Sequence, residues 1–257
     1  KVVIINEADS LNQEAANALL KVLEEPATAC VFILVSDLTK PLLPTIISRC
    51  QVVNFTALPP AVVEDILLSS GLVEPSDAKL AAAICGGKVG DSELLIKAGL
   101  LNYREQLLYQ LVTENLDLRL ALILTEQIVN KVNEIVKAQT EQLFQAQVEL
   151  EQWLQAQSKL AKKVELQNKR LISKVELGAY RLILQLLGSI FRDLFLLEQN
   201  LAKKFIINTD FLVQLNSLRL KIKPEKALEA VKEAQQRLSK NVKPRLVLEN
   251  FFLSLGG

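Results

Sequence analysis

Histidine is absent from this sequence of 257 residues, and that absence excludes several kinds of enzyme site. Histidine is the side chain that most often transfers protons near neutral pH, and it completes serine-type catalytic triads and many metal sites. The three cysteines, Cys30, Cys50 and Cys85, are far apart and form no CxxC pair, so we expect no zinc site within these residues either. An odd number of isolated thiols indicates small buried side chains in a reducing compartment rather than a disulfide framework.

The sequence also lacks an excess of charge of either sign and a long uninterrupted apolar run. Its 30 Lys and Arg residues nearly balance 29 Asp and Glu residues, so no overall field draws the chain to nucleic acid or to an anionic membrane. Residues 180–197 are the most apolar stretch, but Arg181, Arg192 and Asp193 interrupt it, and each is unfavourable at the centre of a bilayer. We therefore expect a buried helix there, no membrane contact and, since no signal peptide pattern precedes the first strand, a cytoplasmic location.

The first stretch of the sequence has the pattern of a parallel α/β unit. The run from Val2 to Ile5 is β-branched without polar alternation, which is typical of a strand buried on both faces, and residues 31–35 repeat this pattern. Between the two strands, Asn12 is expected to cap a helix that stops at Pro26, because a proline disfavours helical backbone at the residue before it. The sequence therefore predicts one strand-helix-strand unit with parallel strands.

Polar side chains follow both predicted strands. Asn6 and Glu7 come directly after the first strand, and Ser36 follows the second. In open parallel sheets ligands bind at the carboxyl ends of the strands, so these three residues are candidate binding residues. A simpler interpretation stays open for them, since a carboxylate at a strand end is often only solvated and a serine followed by aspartate favours a turn.

A lone arginine, Arg49, follows a short apolar segment at residues 42–47, within the tripeptide SRC. A strand-like segment at residues 51–55 comes next, and the pair Pro59-Pro60 marks a domain boundary. Arg49 is either an ordinary surface arginine or an anion-binding residue, because its planar guanidinium suits phosphate oxygens.

A small helical domain is predicted for residues 59–99. Ser76 is the expected N-cap of one of its helices, and the pair Gly86-Gly87 is the expected end of that helix. Another helix is expected to begin near Asp91.

Residues 100–257 are predicted to be almost wholly helical. Their middle, residues 127–174, is rich in Gln, Glu, Lys and Ala with hydrophobic residues at helical spacing, which predicts a long amphipathic helix or hairpin that protrudes in part. Its basic residues are more simply explained as a solvated face than as a DNA contact: Lys162, Lys163, Lys169, Arg170 and Lys174. The apolar segment 177–201 is expected to form the core of this part, and later helices are expected to begin at Pro224 and near Asn241.

Four motifs resemble those of one protein family. They are NALLKVLEEP at residues 17–26, ISRCQ at 47–51, GGKVGDSELL at 86–95 and NVKPRLVLENFFL at 241–253. Together they resemble the AAA+ clamp-loader subunits of bacterial DNA polymerase III. The resemblance implies an α/β fold followed by an all-α part, divided into the C-terminal half of the AAA+ α/β domain at residues 1–58, a helical lid at 59–99 and a helical collar for oligomerisation at 100–257.

That family contains ATP-hydrolysing motor subunits, called gamma or tau, and a companion that does not hydrolyse ATP, called delta prime. The motors end their Walker B strand in Asp-Glu, whereas this sequence has Asn6-Glu7, so the negative charge that complements Mg²⁺ is reduced. The motors also carry a lid arginine whose matching position here is Gly90. The resemblance therefore implies the delta prime type, with no ATPase activity of its own, within a DNA-directed DNA polymerase holoenzyme.

Arg49 is retained, and the resemblance implies that it reaches the ATP of a neighbouring subunit as an arginine finger. Asn6, Glu7 and Ser36 then correspond to degenerate Walker B and sensor positions. No cofactor is implied within this chain: ATP and Mg²⁺ belong to neighbouring subunits, and the family's P-loop and four-cysteine zinc knot lie upstream of Lys1, which is not expected to be the native start. The implied partners are the gamma/tau and delta subunits and, through the complex, the sliding clamp and primer-template DNA.

Two alternatives stay open at this point. An active gamma/tau-type ATPase would need an intact P-loop upstream, and Asn6 and Gly90 argue against it. A helical adaptor with a vestigial AAA+ module would instead self-associate through its long helices.

Overall fold

The structure is a computed structural model, and it forms two compact units, Lys1–Thr56 and Ala57–Gly257. It describes residues 1–25, 30–36, 42–71, 73–113, 116–154, 158–201, 203–217, 223–240 and 242–256. The backbone alone is described at residues 112–113, 142–154, 158–165, 167, 203 and 217. The predicted helix stop at Pro26 and the predicted helix start near Asn241 lie outside the described residues, as do the side chains of Lys162 and Lys163.

The first unit contains the predicted strand-helix-strand arrangement. Strand β1 (Val2–Ile5) pairs in parallel with strand β2 (Val31–Leu34), with Val2 opposite Val31 and Ile5 opposite Leu34. Helix α1 (Gln13–Glu24) lies between them in the sequence, and the side-chain oxygen of Asn12 accepts a hydrogen bond of 2.9 Å from the backbone N–H of Ala15. The predicted parallel pairing and the predicted N-cap are both confirmed.

One face of this small sheet is covered and the other is not. Ala16 and Leu19 of α1 form a core with Ile46 of the one-turn helix α2 (Pro44–Ile47), and Phe32 and Leu34 are among the side chains that pack against it. The side chains of the opposite face are between 45% and 62% exposed: Val2, Ile4, Val31 and Ile33. The prediction of strands buried on both faces is therefore wrong for the described part of the chain, in which no second layer covers this face.

The predicted strand at residues 51–55 is also wrong. These residues form no strand, and Val53 and Phe55 are 67% and 90% exposed. A strand needs a neighbour for its backbone N–H and C=O groups, and none of the described residues supplies one here. A β-rich composition alone did not determine the backbone structure of this segment.

The second unit is helical. Its helices are α3 (Pro60–Ser69), α4 (Pro75–Cys85), α5 (Val89–Lys97), α6 (Leu100–Thr113), α7 (Leu118–Leu154), α8 (Ser158–Glu198), α9 (Leu212–Ser217), α10 (Pro224–Ser239) and α11 (Pro244–Gly256). The predicted helix start at Pro224 is confirmed. Ser76 is not the cap of α4, because α4 begins at Pro75, whose missing N–H and fixed backbone angle suit the first helical position.

The two glycines after α4 have different tasks. Gly86 ends the helix in the left-handed conformation, with φ of 59°, as predicted. Gly87 has φ of 91°, and a Cβ atom there would lie 2.3 Å from the backbone oxygen of Leu58. The N–H of Leu58 donates a hydrogen bond of 3.3 Å to the carbonyl of Gly87, so the missing side chain allows the two backbones to meet.

One apolar core runs through the whole second unit, from Val63 in α3 to Leu255 in α11. Its largest contribution comes from α8, and the predicted central role of the apolar segment 177–201 is confirmed. Gln185 of α8 also donates a hydrogen bond of 2.7 Å to the carbonyl of Ile84 at the end of α4. The division of this unit into a lid (59–99) and a collar (100–257) stays a prediction.

The predicted long amphipathic stretch at residues 127–174 falls in two helices, α7 and α8, which pack against each other. The buried side of α7 includes apolar residues at helical spacing: Leu124, Ile128, Val132 and Ile135. Within the described residues, none of the helices combines the length and the apolarity needed to cross a bilayer.

The three cysteines differ in their surroundings. Cys85 in α4 is buried, whereas Cys30 and Cys50 are partly exposed, so the prediction of three buried thiols is confirmed only for Cys85. Burial raises the pKa of the Cys85 thiol from 9.0 to about 11, and a hydrogen bond with Ser92 opposes part of this shift. The thiolate, which is the reactive form, is therefore disfavoured in the folded protein.

We expect Cys85 to react with a thiol reagent only slowly in the folded chain. In a Cys30→Ser/Cys50→Ser variant at pH 8, the raised pKa alone reduces the thiolate fraction about a hundredfold relative to the unfolded chain. Because the folded pKa is the higher one, this group stabilises the fold fully below pH 9.0, and the contribution is lost as the pH rises towards about 11. The rate with Ellman's reagent at pH 8, with and without urea, measures the reactivity, and urea denaturation at pH 8 and at pH 10 measures the change in stability. A Cys30→Ser/Cys85→Ser variant is the control. Equal rates for Cys85 and Cys50 in the folded protein would contradict the prediction.

Candidate functional site

The predicted candidate residues at the strand ends lie along one edge of the sheet. The N–H of Val35 donates to the carbonyl of Ile5, and the N–H of Ala8 donates to the carbonyl of Val35, each at 2.9 Å. The structure thus brings Asn6 and Glu7 alongside Ser36, as the parallel register requires. Their functional roles stay predictions.

Glu7 has an unusual backbone conformation. Its φ of 54° and ψ of 45° are left-handed, a region that residues other than glycine seldom adopt. A short 3₁₀ turn (Ala8–Ser10) follows, and Ala8 is buried. The chain therefore turns sharply at the end of β1, and the side chains of Asn6 and Glu7 are exposed.

Arg49 is presented by a different part of the unit. Helix α2 begins with Pro44 at its first position, and its Ile46 is 1% exposed against α1, which fixes the turn to the unit. The N–H groups of Arg49 and Cys50 then donate to the carbonyls of Ile46 and Ile47, each at 3.1 Å. The backbone of Arg49 is therefore held by an anchored helical turn.

The guanidinium of Arg49 is held at both terminal nitrogens. Its Nη1 donates to the carbonyl of Thr45 at 3.0 Å and to the hydroxyl of Ser48 at 3.4 Å. Its Nη2 lies 2.6 Å from the Oε1 atom of Glu24, the last residue of α1. The side chains of Arg49 and Glu24 are 39% and 48% exposed, so the ion pair is open to solvent on one side.

Sequence reasoning missed Glu24. It lies in the NALLKVLEEP motif, which served only as a family signature, and no helical or strand periodicity connects it with Arg49. Only the packing of α2 on α1 brings the two side chains together.

Gly90, which the resemblance predicts to match the lid arginine of the motors, lies in the first turn of α5. A Cβ atom at this position would meet no other atom within 4 Å. Packing therefore does not require a glycine here, and a larger side chain would have space. Among the residues that the structure describes, no group of three or more Cys, Asp or Glu side chains is placed to hold a metal ion.

Comparisons with known proteins agree with the resemblance. Residues 1–59 match the family model described as DNA polymerase III, delta subunit. DNA polymerase III subunit delta' of Bacillus subtilis is 44% identical over 82 residues, which cover 32% of this chain and 25% of the relative. The corresponding subunit of Haemophilus influenzae is 36% identical over 110 residues, covering 43% of this chain and 34% of the relative.

A differently named subunit of DNA polymerase III matches as well. DNA polymerase III subunit tau of B. subtilis is 51% identical over 55 residues, or 21% of this chain and 10% of that protein. The chain thus spans between a tenth and a third of the length of these three relatives. The matches confirm the resemblance inferred from the sequence, and over the aligned residues the chain is similar to DNA polymerase III subunit delta'.

Proposed function

We propose that this chain acts in a bacterial clamp loader as its delta prime subunit, which hydrolyses no ATP itself and supplies Arg49 to the ATP site of the adjacent motor subunit. The observation that carries the proposal is the presentation of Arg49. Its backbone lies on an anchored turn, its guanidinium is held at two points, and it remains partly exposed. A planar fork that is always charged is suited to phosphate oxygens and to the charge that develops on them.

The residues at the chain's own sheet edge do not fit a Mg²⁺-nucleotide site. Mg²⁺ binds through carboxylates and phosphate oxygens, and Asn6 supplies a neutral amide where the motors have aspartate. Gly90 likewise supplies no cation, although its surroundings have space for one. Since a tau subunit also matches part of the chain, these two positions rather than overall identity support the non-hydrolysing type.

The second unit supports assembly with other subunits. It exposes large apolar side chains on several helices, including Leu118 in α7, Val213 in α9 and Leu246 in α11, at 59%, 80% and 50%. We expect contacts with neighbouring chains where such side chains form a contiguous patch. The proposed neighbours are the gamma/tau and delta subunits in the cytoplasm, and the complex places the sliding clamp on primer-template DNA.

The proposal is tested with the purified chain and the gamma/tau and delta subunits of its own organism. Alone, the chain should elute as a monomer and show no Mg²⁺-dependent ATP hydrolysis; with its partners it should co-elute as one complex. Hydrolysis by the chain alone would favour the motor alternative. Self-association without incorporation into the complex would favour the adaptor alternative.

A further inference from the structure

We propose that Glu24 is the resident counter-ion of Arg49, and that a phosphate group of the neighbour's ATP replaces it when the site assembles. The inference rests on the proposed function of Arg49. Its starting point is the distance of 2.6 Å between Nη2 of Arg49 and Oε1 of Glu24, which joins the end of α1 to the turn after α2.

The three contacts of the guanidinium are not equivalent. Thr45 contributes a backbone carbonyl and Ser48 a hydroxyl, and both are neutral acceptors on the turn that carries Arg49. Glu24 contributes an anion. A guanidinium binds phosphate best through two parallel N–H donors, so the carboxylate competes with phosphate for the same fork, whereas the neutral acceptors can remain in place.

The ion pair is suited to exchange. Both side chains are well exposed, and ion pairs of this kind contribute little to stability, so opening the pair costs little. A carboxylate that stayed beside the guanidinium would repel an incoming phosphate, because both carry negative charge. Glu24 therefore holds the arginine side chain in place before assembly and lowers its affinity for phosphate until it is displaced.

A matched control is available at the next position. Glu25 is also exposed and follows the end of α1, but among the described residues the ion pair of Arg49 is made with Glu24. Glu25→Gln removes the same charge from the same region without removing this contact. Glu24→Asp keeps the charge on a shorter side chain.

The experiment measures ATP hydrolysis by the reconstituted complex at increasing ATP concentration, with clamp and primed DNA present. Glu24→Gln should lower the KM for ATP by about two- to fivefold, the range that corresponds to an exposed ion pair. Glu25→Gln should leave KM unchanged. The KM of Glu24→Asp should lie nearer to the wild-type KM than that of Glu24→Gln. In an Arg49→Ala background the facing site no longer contributes to the measured hydrolysis, so binding of a non-hydrolysable ATP analogue to the complex is measured instead. Glu24→Gln should have no effect on that binding, because the carboxylate acts through the guanidinium.

Several outcomes would overturn the inference. An unchanged or raised KM in Glu24→Gln would do so. Tighter binding of the ATP analogue by Glu24→Gln that persists in the Arg49→Ala background would do so as well. If one of these results is obtained but Arg49→Ala still slows hydrolysis, the proposed function stands and only the role of Glu24 is wrong. If Arg49→Ala leaves hydrolysis unchanged, the proposed function and the inference fail together.

Discussion

A clamp loader reconstituted with the Arg49→Ala variant should assemble normally but lose the stimulated hydrolysis of one ATP site. An arginine supplied to the ATP of a neighbour accelerates hydrolysis by about 10³- to 10⁵-fold. Without Arg49, the neighbouring ATP site should therefore hydrolyse almost no ATP in the time that loading takes. The fold should persist, because among the described residues the guanidinium makes an exposed ion pair and contacts within its own turn. This is the largest catalytic effect expected of any substitution in the chain.

The measurement is a rapid-mixing experiment that counts the ATP molecules hydrolysed per complex when clamp and primed DNA are added. The number of ATP molecules hydrolysed in the burst should fall by the contribution of one site in Arg49→Ala. Arg49→Lys should restore only part of that contribution, because lysine keeps the charge and loses the planar fork. Lys21→Ala, which removes an exposed cation from α1, is the control and should leave the burst unchanged. A full burst with Arg49→Ala would show that this arginine serves no neighbouring site.

The largest loss of stability is expected for Asp193→Ala in α8, at about 3–5 kcal/mol. The carboxylate of Asp193 is 0% exposed. One of its oxygens accepts hydrogen bonds of 2.7 Å from both the backbone N–H and the side-chain amide of Asn208, and the N–H of Ile207 donates to it at 3.0 Å. Its other oxygen lies 3.0 Å from Nη1 of Arg192. Truncation would leave the two donors of Asn208 buried and without this acceptor.

The damage should extend to α6, because Asn208 links Asp193 to a second buried charge. The side-chain oxygen of Asn208 accepts a hydrogen bond of 2.6 Å from Nη1 of Arg104, and Arg104 also pairs with Asp210. The guanidinium lies 4.5 Å from the ring centre of Phe211. Burial lowers the pKa of Arg104, and the charge of Asp210 opposes that shift. An Asn208 that loses its partner can no longer hold this arginine in place.

Urea denaturation of the purified chain, followed by helical circular dichroism, measures the change in the free energy of unfolding. The corresponding fall in the melting temperature of the helical unit is roughly 6–20 °C. Glu198→Ala, at the exposed end of the same helix, should change the free energy by less than about 0.5 kcal/mol. A loss below about 1 kcal/mol for Asp193→Ala would mean that the network contributes little.

The sequence predicted the parts of the first unit whose signals are local. The β-branched run of β1 and the cap at Asn12 depend on neighbouring residues only, and both predictions were confirmed. The uncovered face of the sheet could not be predicted from the sequence. Apolar residues such as Val2 and Ile4 are equally compatible with a strand covered on both faces and with a strand covered on one face. A strand at residues 51–55 would also need a neighbouring strand to pair with. Whether one is present depends on distant parts of the chain, so the local sequence could not predict it.

The long-range polar contacts could not be predicted from the sequence either. Asp193 entered the sequence argument only as a charge that excludes a membrane span, and its partners lie on the segment around Asn208. Glu24 and Arg49 are separated by a whole strand, so their ion pair follows from tertiary packing alone. Periodicity identifies which face of a helix is buried, but it carries no information about which buried polar groups meet.

The single apolar core of the second unit has a consequence for its melting behaviour. The helices after residue 59 share their interior with α8, and the bond from Gln185 to the carbonyl of Ile84 adds a directional link between α8 and α4. Segments that share one interior unfold together, because opening one exposes the apolar surface of the others. Calorimetry of residues 57–257 should therefore give one cooperative transition, and the slowest-exchanging amides should occur in α4 as well as in α8.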